Sequence, residues 1–364
     1  MATCRRHVAI FRMYIGQRDG TPQNLARAKA GGAMDRRKTT RPSAQRARGM
    51  ESFRSALILC MSLWIERAAR GEPPVNHVSG AATISRPAGR SEIRITTTDR
   101  LAGAIDSLKW DGVEFIDSFD HGRQLQSAAS FDCAREGEFW AEQFNPTEAG
   151  SRADGTGEHS SSKLLTFRAA ATWLESTSQM AFWLAPGESS FGRPALNTTV
   201  LSNYRFKKRV SLGYESQDQV IDYQVTFTVP DEPRHRLAQF EALTAYMPAD
   251  FHRFERFDPV SRRLVPLDPG PGEQPDPVVI SDVSGSHALG VLALRHHNQG
   301  LRPSYGRFWF EQEQVAKWNC VFRVRDSEQI APGEYAFRML VVVGTNEDVQ
   351  RIMSQWAEAE GASP

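Results

Sequence analysis

Residues capable of acid–base chemistry are concentrated between positions 117 and 152. Two polar runs occur there, Asp120-His121-Gly122-Arg123-Gln124 and Asn145-Pro146-Thr147-Glu148. Gly and Pro in these runs are typical of surface loops, which can project side chains toward a ligand. A His and a Glu with separated pKa values can serve a substrate as proton donor and acceptor. The pattern predicts that His121 and Glu148 form a catalytic acid–base pair.

Other polar side chains of the same stretch have the chemistry of ligand recognition. A guanidinium group presents a fork of donors, and a planar amide both donates and accepts hydrogen bonds. The expected substrate-binding residues are Arg123, Gln124, Asn145 and Arg152. The alternative is that these groups bond one another and only hold a long loop in place, with an internal salt bridge between Arg123 and Glu148.

A second cluster follows a predicted strand later in the chain. It consists of Arg295-His296-His297-Asn298, Tyr305-Gly306-Arg307 and Lys317-Trp318-Asn319. Adjacent histidines on a strand point to opposite faces, so one of them at most joins a given site. The binding residues expected from this cluster are Arg295, His296, Tyr305 and Trp318, the last two as aromatic platforms.

Glu241 and Tyr246 form a third and weaker group. They share one face of a strand only if a bend or bulge interrupts the alternation of side chains. The sequence contains no nucleophile elbow, phosphate-binding loop, dinucleotide fingerprint, zinc-protease helix or EF-hand loop. It also contains no Cys-x-x-Cys motif or Cys/His cluster. We therefore expect no cofactor and no metal.

The segments that carry these residues alternate between polar and apolar positions. In Ile221–Val229 the odd positions are apolar or aromatic and the even positions are polar, as in an antiparallel strand with one buried face. Asp111-Gly112 separates two short runs and is typical of a hairpin turn. Strands are expected at Glu92–Thr98, Ala104–Trp110, Val220–Val229, Val278–Ser281, Ala288–Leu294, Gly306–Phe310, Trp318–Val324 and Tyr335–Val343.

Helical periodicity occurs at the C-terminal end. Thr345 is a capping residue. The apolar stripe that follows consists of Val349, Ile352, Met353 and Trp356. We predict an all-β fold, a large antiparallel β-sandwich over residues 90–345, with a short C-terminal helix and tail over residues 346–364. The Pro-rich segment Pro266–Pro277 is interpreted as a surface loop within this one domain.

Charge is unevenly distributed along the 364 residues, although the formal net charge is only +1. Residues 1–49 contain 12 Lys/Arg and 2 Asp/Glu, which leaves 32 basic and 41 acidic residues in 50–364. An acidic body does not favour a polyanion, so we expect no nucleic acid partner. No apolar run reaches the length of a membrane-spanning helix.

Residues 50–71 have the features of an export signal. Arg54 supplies a charged start, Ser55–Ile65 is an apolar run too short to span a bilayer, and Ala69-Arg70-Gly71 is a candidate cleavage site. The alternative is a buried N-terminal helix. With export, the mature protein is secreted or periplasmic and has no membrane anchor, because Leu59 occupies the position where a lipid-attachment cysteine requires a small residue.

The flanks of this signal have simple interpretations. Residues 1–49 are predicted to be disordered and to precede a translation start at Met50. Residues 72–89 are interpreted as a linker. Cys133 and Cys320 then remain in the mature chain, where they form one disulfide or remain two separate buried thiols.

The segment Gly103–Gly112 resembles the early hairpin of the galactose-mutarotase-like supersandwich superfamily, and Tyr335–Met339 is similar to one of its later strands. The resemblance spans residues 90–345. It implies a twisted β-sandwich that binds sugars in a concave sheet, as in aldose epimerases, polysaccharide lyases and some glycoside hydrolases. For the acid and base of an epimerase it implies His121 or His296 with Glu148, Glu241 or Glu311.

Two functions fit these features. One is an exported carbohydrate-active enzyme, a lyase, hydrolase or epimerase, that acts on a glycan by acid–base chemistry. The other is a non-catalytic glycan-binding or envelope-structure protein. A domain that contacts only proteins is a third interpretation, which we favour less than these two. An enzyme needs His121 or His296 within a few ångström of a carboxylate in one cleft, whereas a binding protein needs only aromatic rings and amides there.

Overall fold

The computed structural model describes residues 78–294 and 297–361. The predicted signal, the segment upstream of it, and the candidate binding residues Arg295 and His296 lie outside this part of the chain. The described residues form an all-β structure with a C-terminal helix, as predicted. No helix among them is long and apolar enough to cross a membrane.

A small antiparallel sheet comes first along the chain. Its strands pair in sequence order and are β1 (Ala82–Ala88), β2 (Ser91–Thr97), β3 (Ile105–Trp110) and β4 (Val113–Glu114). Asp111 and Gly112 join the last two strands with φ angles of 53° and 77°. Both angles are positive, as in the hairpin turn that the dipeptide predicts. Because β1 lies within residues 72–89, the interpretation of that whole stretch as a linker is wrong.

A large antiparallel sheet contains most of the other strands and folds into two facing layers. The first layer consists of β7 (Lys163–Ala170), β8 (Trp173–Phe182), β11 (Leu201–Tyr214), β12 (Gln217–Val229), β14 (Arg253–Asp258), β15 (Arg263–Pro266), β17 (Val278–Ser281), β18 (Ala288–Ala293) and β21 (Gly333–Gly344). The second layer consists of β5 (Gln126–Phe131), β6 (Pro146–Thr147), β13 (Leu237–Pro248), β16 (Gly272–Gln274), β19 (Ser304–Phe310) and β20 (Val315–Arg325). A separate short hairpin consists of β9 (Ser189–Ser190) and β10 (Arg193–Pro194).

The hydrogen-bonded order of the large sheet shows how the layers arise. It runs β15-β14-β17-β18-β21-β12-β11-β8-β6-β5-β13-β20-β19-β16, with β7 paired to β8. Phe227 of β12 nevertheless lies 5.1 Å from Phe240 of β13, and Phe322 of β20 lies 4.3 Å from Phe337 of β21, between ring centroids. Strands distant in the hydrogen-bonded order therefore meet across an aromatic core, which confirms the predicted β-sandwich.

The C-terminal helix, α1 (Asn346–Gly361), packs its apolar stripe on the first layer. The Thr345 hydroxyl accepts a hydrogen bond from the backbone N–H of Asp348 at 3.1 Å, and the Asp348 carboxylate accepts one from the Thr345 N–H at 3.3 Å. These reciprocal bonds are the predicted cap. The Pro-rich segment Pro266–Pro277 is more than a loop, because it contains β16, which adds an edge strand to β19.

Both cysteines of the sandwich are free thiols. Cys320 is buried on β20, and Cys133 follows β5. Burial raises the pKa of the Cys133 thiol to about 12 and also raises that of Cys320. Of the two alternatives for these residues, the structure has the separate thiols and not the disulfide.

A buried ion pair connects the small sheet to both layers. Lys208 of β11 places its Nζ 2.5 Å from Oε1 of Glu148 and 2.6 Å from the carbonyl oxygen of Gly103. The second carboxylate oxygen of Glu148 accepts a hydrogen bond from the Ser127 N–H of β5 at 3.1 Å. Neither charged side chain is exposed. Burial disfavours the charged form of each group. Removing either partner therefore leaves the other charge buried and unpaired, which is strongly destabilising.

Replacing Lys208 by Met is expected to lower the free energy of unfolding by about 3–5 kcal/mol, because it leaves the Glu148 carboxylate buried without its partner. The matched control is Lys207→Met at the exposed neighbouring position, for which a change below about 0.5 kcal/mol is expected. Urea unfolding measures both. The double variant Lys208→Met/Glu148→Leu should recover most of the loss. A loss below about 1 kcal/mol for Lys208→Met would contradict this role.

Candidate functional site

The predicted acid–base pair does not face a cleft. His121 is 1% exposed, and its ring nitrogens lie 2.8 Å from the Gly155 carbonyl oxygen and 3.1 Å from that of Arg100. Glu148 is fully buried in its ion pair with Lys208. The prediction that these two side chains are catalytic is therefore wrong, because their polar atoms are used to hold the backbone and the two layers together.

The substrate-binding residues expected from the same stretch also bond within the fold. Arg123 pairs with Asp117 at 3.1 Å, Gln124 donates to the Ser118 hydroxyl at 3.0 Å, Asn145 donates to the Ala129 carbonyl at 2.6 Å, and Arg152 pairs with Glu188 at 3.3 Å. The structural alternative describes them correctly, although the salt bridge between Arg123 and Glu148 is not formed. The stretch is more than a surface loop, since it contains the fully buried strand β5.

Tyr305 and Trp318 are buried between the layers and are not aromatic platforms for a ligand. Tyr305 is 1% exposed, and its hydroxyl accepts a hydrogen bond from the Ala293 N–H at 2.9 Å. Trp318 is fully buried. Side chains alternate along β20, so Lys317 and Asn319 point to the opposite side from Trp318.

The residues on that opposite side form polar and aromatic rows on the second layer, which we call the outer face. Most of them are nearly buried: Lys317 is 5% exposed, Phe308 7% and Tyr246 8%. Strand pairing places one residue of each strand in a cross-strand row. Tyr246, Lys317 and Phe308 form one row, and Thr244, Asn319 and Gly306 form the next. Gln239 and Arg323 form another row toward the C-terminal end of β20, which we call the far end of the outer face.

A β-bulge brings Glu241 onto the outer face with Tyr246. The pairing of β13 with β20 shifts between Glu241 and Leu243, so that Leu243 points into the core while Glu241 remains outside. The extra residue reverses the parity of the alternation. Glu241 and Tyr246 therefore share a face, through the bulge that their spacing in the sequence requires.

Glu241 and Lys317 form the charged centre of the outer face. Lys317 Nζ lies 3.0 Å from Glu241 Oε1 and 5.2 Å from the centroid of the Tyr246 ring. Asn319 donates through Nδ2 to the same carboxylate oxygen at 2.5 Å. The Glu241 side chain is 15% exposed, compared with 6% for that of Lys317. The arrangement presents a carboxylate, an ammonium group and an amide beside an aromatic ring.

Gly306 permits this geometry. A Cβ atom on Gly306 would lie 2.3 Å from Oδ1 of Asn319, which accepts a hydrogen bond from the Gly306 N–H at 3.0 Å. Any larger residue would therefore push the Asn319 amide away from Glu241. Gly306 therefore lets the Asn319 amide stay within hydrogen-bonding distance of Glu241.

Further polar contacts surround the charged centre formed by Glu241 and Lys317. Burial raises the pKa of Tyr246, and the nearby Lys317 opposes that change. Arg323 donates to Gln239 at 3.0 Å and pairs with Glu273 of β16. The backbone N–H of Asp117 donates to the Tyr246 carbonyl at 2.8 Å, so the polar stretch that the sequence singled out borders the outer face without forming it.

The residue of β20 that the sequence pattern favoured for binding, Trp318, faces the core. The prediction passed over Lys317 and Asn319, which lie beside it. The available signal was parity, because a Trp in the middle of an apolar alternation is usually buried and its two neighbours then face outward. Among the described residues, no group of three or more His, Cys, Asp or Glu is arranged to hold a metal ion.

A buried aromatic cluster lies beneath the far end of the outer face. His235 accepts a hydrogen bond at Nδ1 from the Cys133 N–H at 3.2 Å and bonds the Tyr204 hydroxyl through Nε2. Its ring stacks on Phe131, with 4.5 Å between centroids. Burial lowers the pKa of His235 to about 4. The His235 imidazole is therefore neutral in the folded protein at neutral pH.

Comparison with protein families and with characterised proteins finds no match. Solved structures with a related chain path include an α-mannosidase from Enterococcus faecalis V583, with 12% identity and a TM-score of 0.44 over 77% of this chain and 32% of that one. Heparan sulfate lyase HepC from Pedobacter heparinus has 10% identity and a TM-score of 0.36 over 80% and 42%. A predicted aldose 1-epimerase from Klebsiella pneumoniae has 9% identity and a TM-score of 0.37 over 74% and 83%. All three are carbohydrate-related proteins.

Acidification is expected to destabilise the fold through His235. The unfolded chain takes up the proton at a pKa of about 6.5, well above the folded value, so the free energy of unfolding falls between pH 7 and pH 4, by about 3 kcal/mol. Urea unfolding across this range measures the loss. His235→Gln does not titrate there and should lose less stability by about that amount. Equal pH dependence of the two proteins would contradict the assignment.

Proposed function

We propose that this protein binds a saccharide on the outer face of the second layer. One observation carries the proposal: Glu241, Lys317 and Asn319 converge within hydrogen-bonding distance beside the rings of Tyr246 and Phe308. An aromatic ring accepts the C–H face of a sugar, while carboxylate, ammonium and amide groups bond its hydroxyls. The combination of these groups on one face of the sheet matches what a sugar presents.

Binding without catalysis is the favoured form of this function. The predicted catalytic residues His121 and Glu148 are buried and bonded within the fold, so they supply no acid or base to a ligand. The residues of the outer face are sufficient for recognition. Export to the periplasm or the cell exterior, which the sequence of residues 50–71 favours, belongs to the same proposal because it would place the protein among extracellular glycans.

A carbohydrate-active enzyme remains the second candidate function, on different residues. Glu241 is the specific observation in its favour, since this carboxylate is partly exposed and 3.0 Å from the Lys317 ammonium group. A carboxylate held in this way can accept a proton from a bound sugar. In this candidate Glu241 is the general base, and Lys317 and Asn319 hold its carboxylate in place.

A glycan array followed by titration calorimetry of the full chain tests binding. Glu241→Gln and Tyr246→Leu are each expected to weaken the wild-type ligand at least tenfold, because they remove a charged hydrogen-bonding partner and an aromatic contact. The control is Glu175→Gln on β8 of the first layer, which should bind normally. Wild-type affinity in both outer-face variants, with unchanged thermal melting, would rule out this surface.

Incubation of the wild-type protein with each bound glycan separates the two candidates. Product formation by the wild-type protein that is lost in Glu241→Gln supports the enzyme. The glycan is kept at saturation, so that weaker binding by the variant does not limit the rate. Binding with no product from any bound glycan supports the binding protein.

A further inference from the structure

The outer face continues into a cavity at its far end. Beyond the row of Gln239 and Arg323, the next outward positions are Leu237 on β13 and Arg325 on β20, which pair with each other. Both line a cavity of about 680 Å³. The cavity is therefore an extension of the surface that carries Glu241 and Lys317.

The floor of the cavity is apolar and aromatic. Phe131, Leu237 and Trp140 are almost completely buried where they line it. The Arg193 guanidinium lies over the Trp140 ring, 5.0 Å from its centroid. This cation–π contact fixes both side chains at the wall, so the ring and the guanidinium form a prearranged surface.

The rim of the cavity contains four arginines, of which two are already paired. Arg193 pairs with Glu138, and Arg236 pairs with Glu136 at 3.1 Å. Arg135 and Arg325 are exposed and make no ion pair with any described residue.

The rim also contains four carboxylates, which balance the formal charge of the four arginines but form no ion pair with Arg135 or Arg325: Asp132, Glu136, Glu138 and Asp326. Asp326 accepts hydrogen bonds from the backbone N–H groups of Glu328 and Gln329, at 2.8 and 3.0 Å. Asp132 accepts hydrogen bonds from the backbone N–H groups of Ala134 and Arg236. Arg135 and Arg325 thus have no ion-pair partner among the described residues at the mouth of the cavity.

We propose that this cavity binds an acidic unit, bearing a carboxylate or sulfate group, of the saccharide that lies on the outer face. The inference rests on the proposed function and specifies its ligand class. Arg135 and Arg325 would each offer the anion a fork of N–H donors, a geometry that matches carboxylate and sulfate oxygens. The apolar floor would accept the ring of the same unit, as aromatic walls do for sugars.

The length of the surface sets the size of the ligand. Lys317 and Arg325 are both on β20, and eight residue steps at 3.3 Å each correspond to about 26 Å. A monosaccharide cannot reach from the charged centre of the outer face to the cavity. The ligand that uses both is an oligosaccharide long enough to span this distance, with its acidic unit at the end near Arg325.

The test uses matched charged and neutral probes on the full chain. Hexagalacturonate is compared with its fully methyl-esterified form, and dextran sulfate oligosaccharides with unmodified dextran oligosaccharides. Titration calorimetry at low and high salt measures the affinities. At least one acidic probe is expected to bind at least tenfold more tightly than its neutral partner, with a preference that weakens in high salt. The preferred pair identifies the acidic group as carboxylate or sulfate.

Variants locate the source of the preference. Arg135→Gln/Arg325→Gln is expected to weaken the acidic probe at least tenfold and to leave the neutral probe unchanged. The control Arg205→Gln/Lys207→Gln removes the same charge from exposed positions of β11 and should change neither. Equal affinity for acidic and neutral probes, or an undiminished preference in the first variant, overturns the acidic subsite while the proposed function stands. Failure of every probe to bind overturns the acidic subsite, whereas the glycan array decides the proposed function separately.

Discussion

The ion pair between Lys208 and Glu148 is the interaction on which the arrangement of the sandwich depends. It has no contact with solvent, and it joins β11 of the first layer, β5 of the second layer and the Gly103 carbonyl of the small sheet. Two buried charges are tolerable only when each is paired and hydrogen-bonded. The three parts of the fold must therefore come together in one arrangement to satisfy both groups, and displacement of any part leaves a charge unpaired.

This constraint explains why the most polar stretch of the chain is not the site. His121, Arg123 and Asn145 bond backbone carbonyls or neighbouring carboxylates, as Glu148 bonds Lys208. A loop that passes between sheets must satisfy its polar atoms internally, since unpaired buried groups are costly. The residues that we propose for ligand binding lie on the side of the second layer that faces away from the core.

The outer face and the cavity at its end form one surface with two characters. The part around Glu241 and Lys317 has paired charges beside aromatic rings, which suits the hydroxyls and C–H groups of a sugar. The part around Arg135 and Arg325 has two guanidinium groups without an ion-pair partner among the described residues, in a lining whose four carboxylates equal its four arginines in number. In our proposal these two arginines give a local preference for the acidic unit of a saccharide.

The sequence by itself determined the features that arise from local interactions. Period-two alternation identified most long strands, Asp111-Gly112 identified a hairpin, and Thr345 identified the start of the helix, because each depends on residues adjacent in the chain. The site was decided by tertiary structure. The bulge after Glu241 sets which side chains of β13 face outward, and the pairing of β13 with β20 brings Lys317 to Glu241 from a distant part of the chain. Whether a Glu is a reachable acid or a buried structural anion depends on which distant residue folds against it, and no local pattern contains that information.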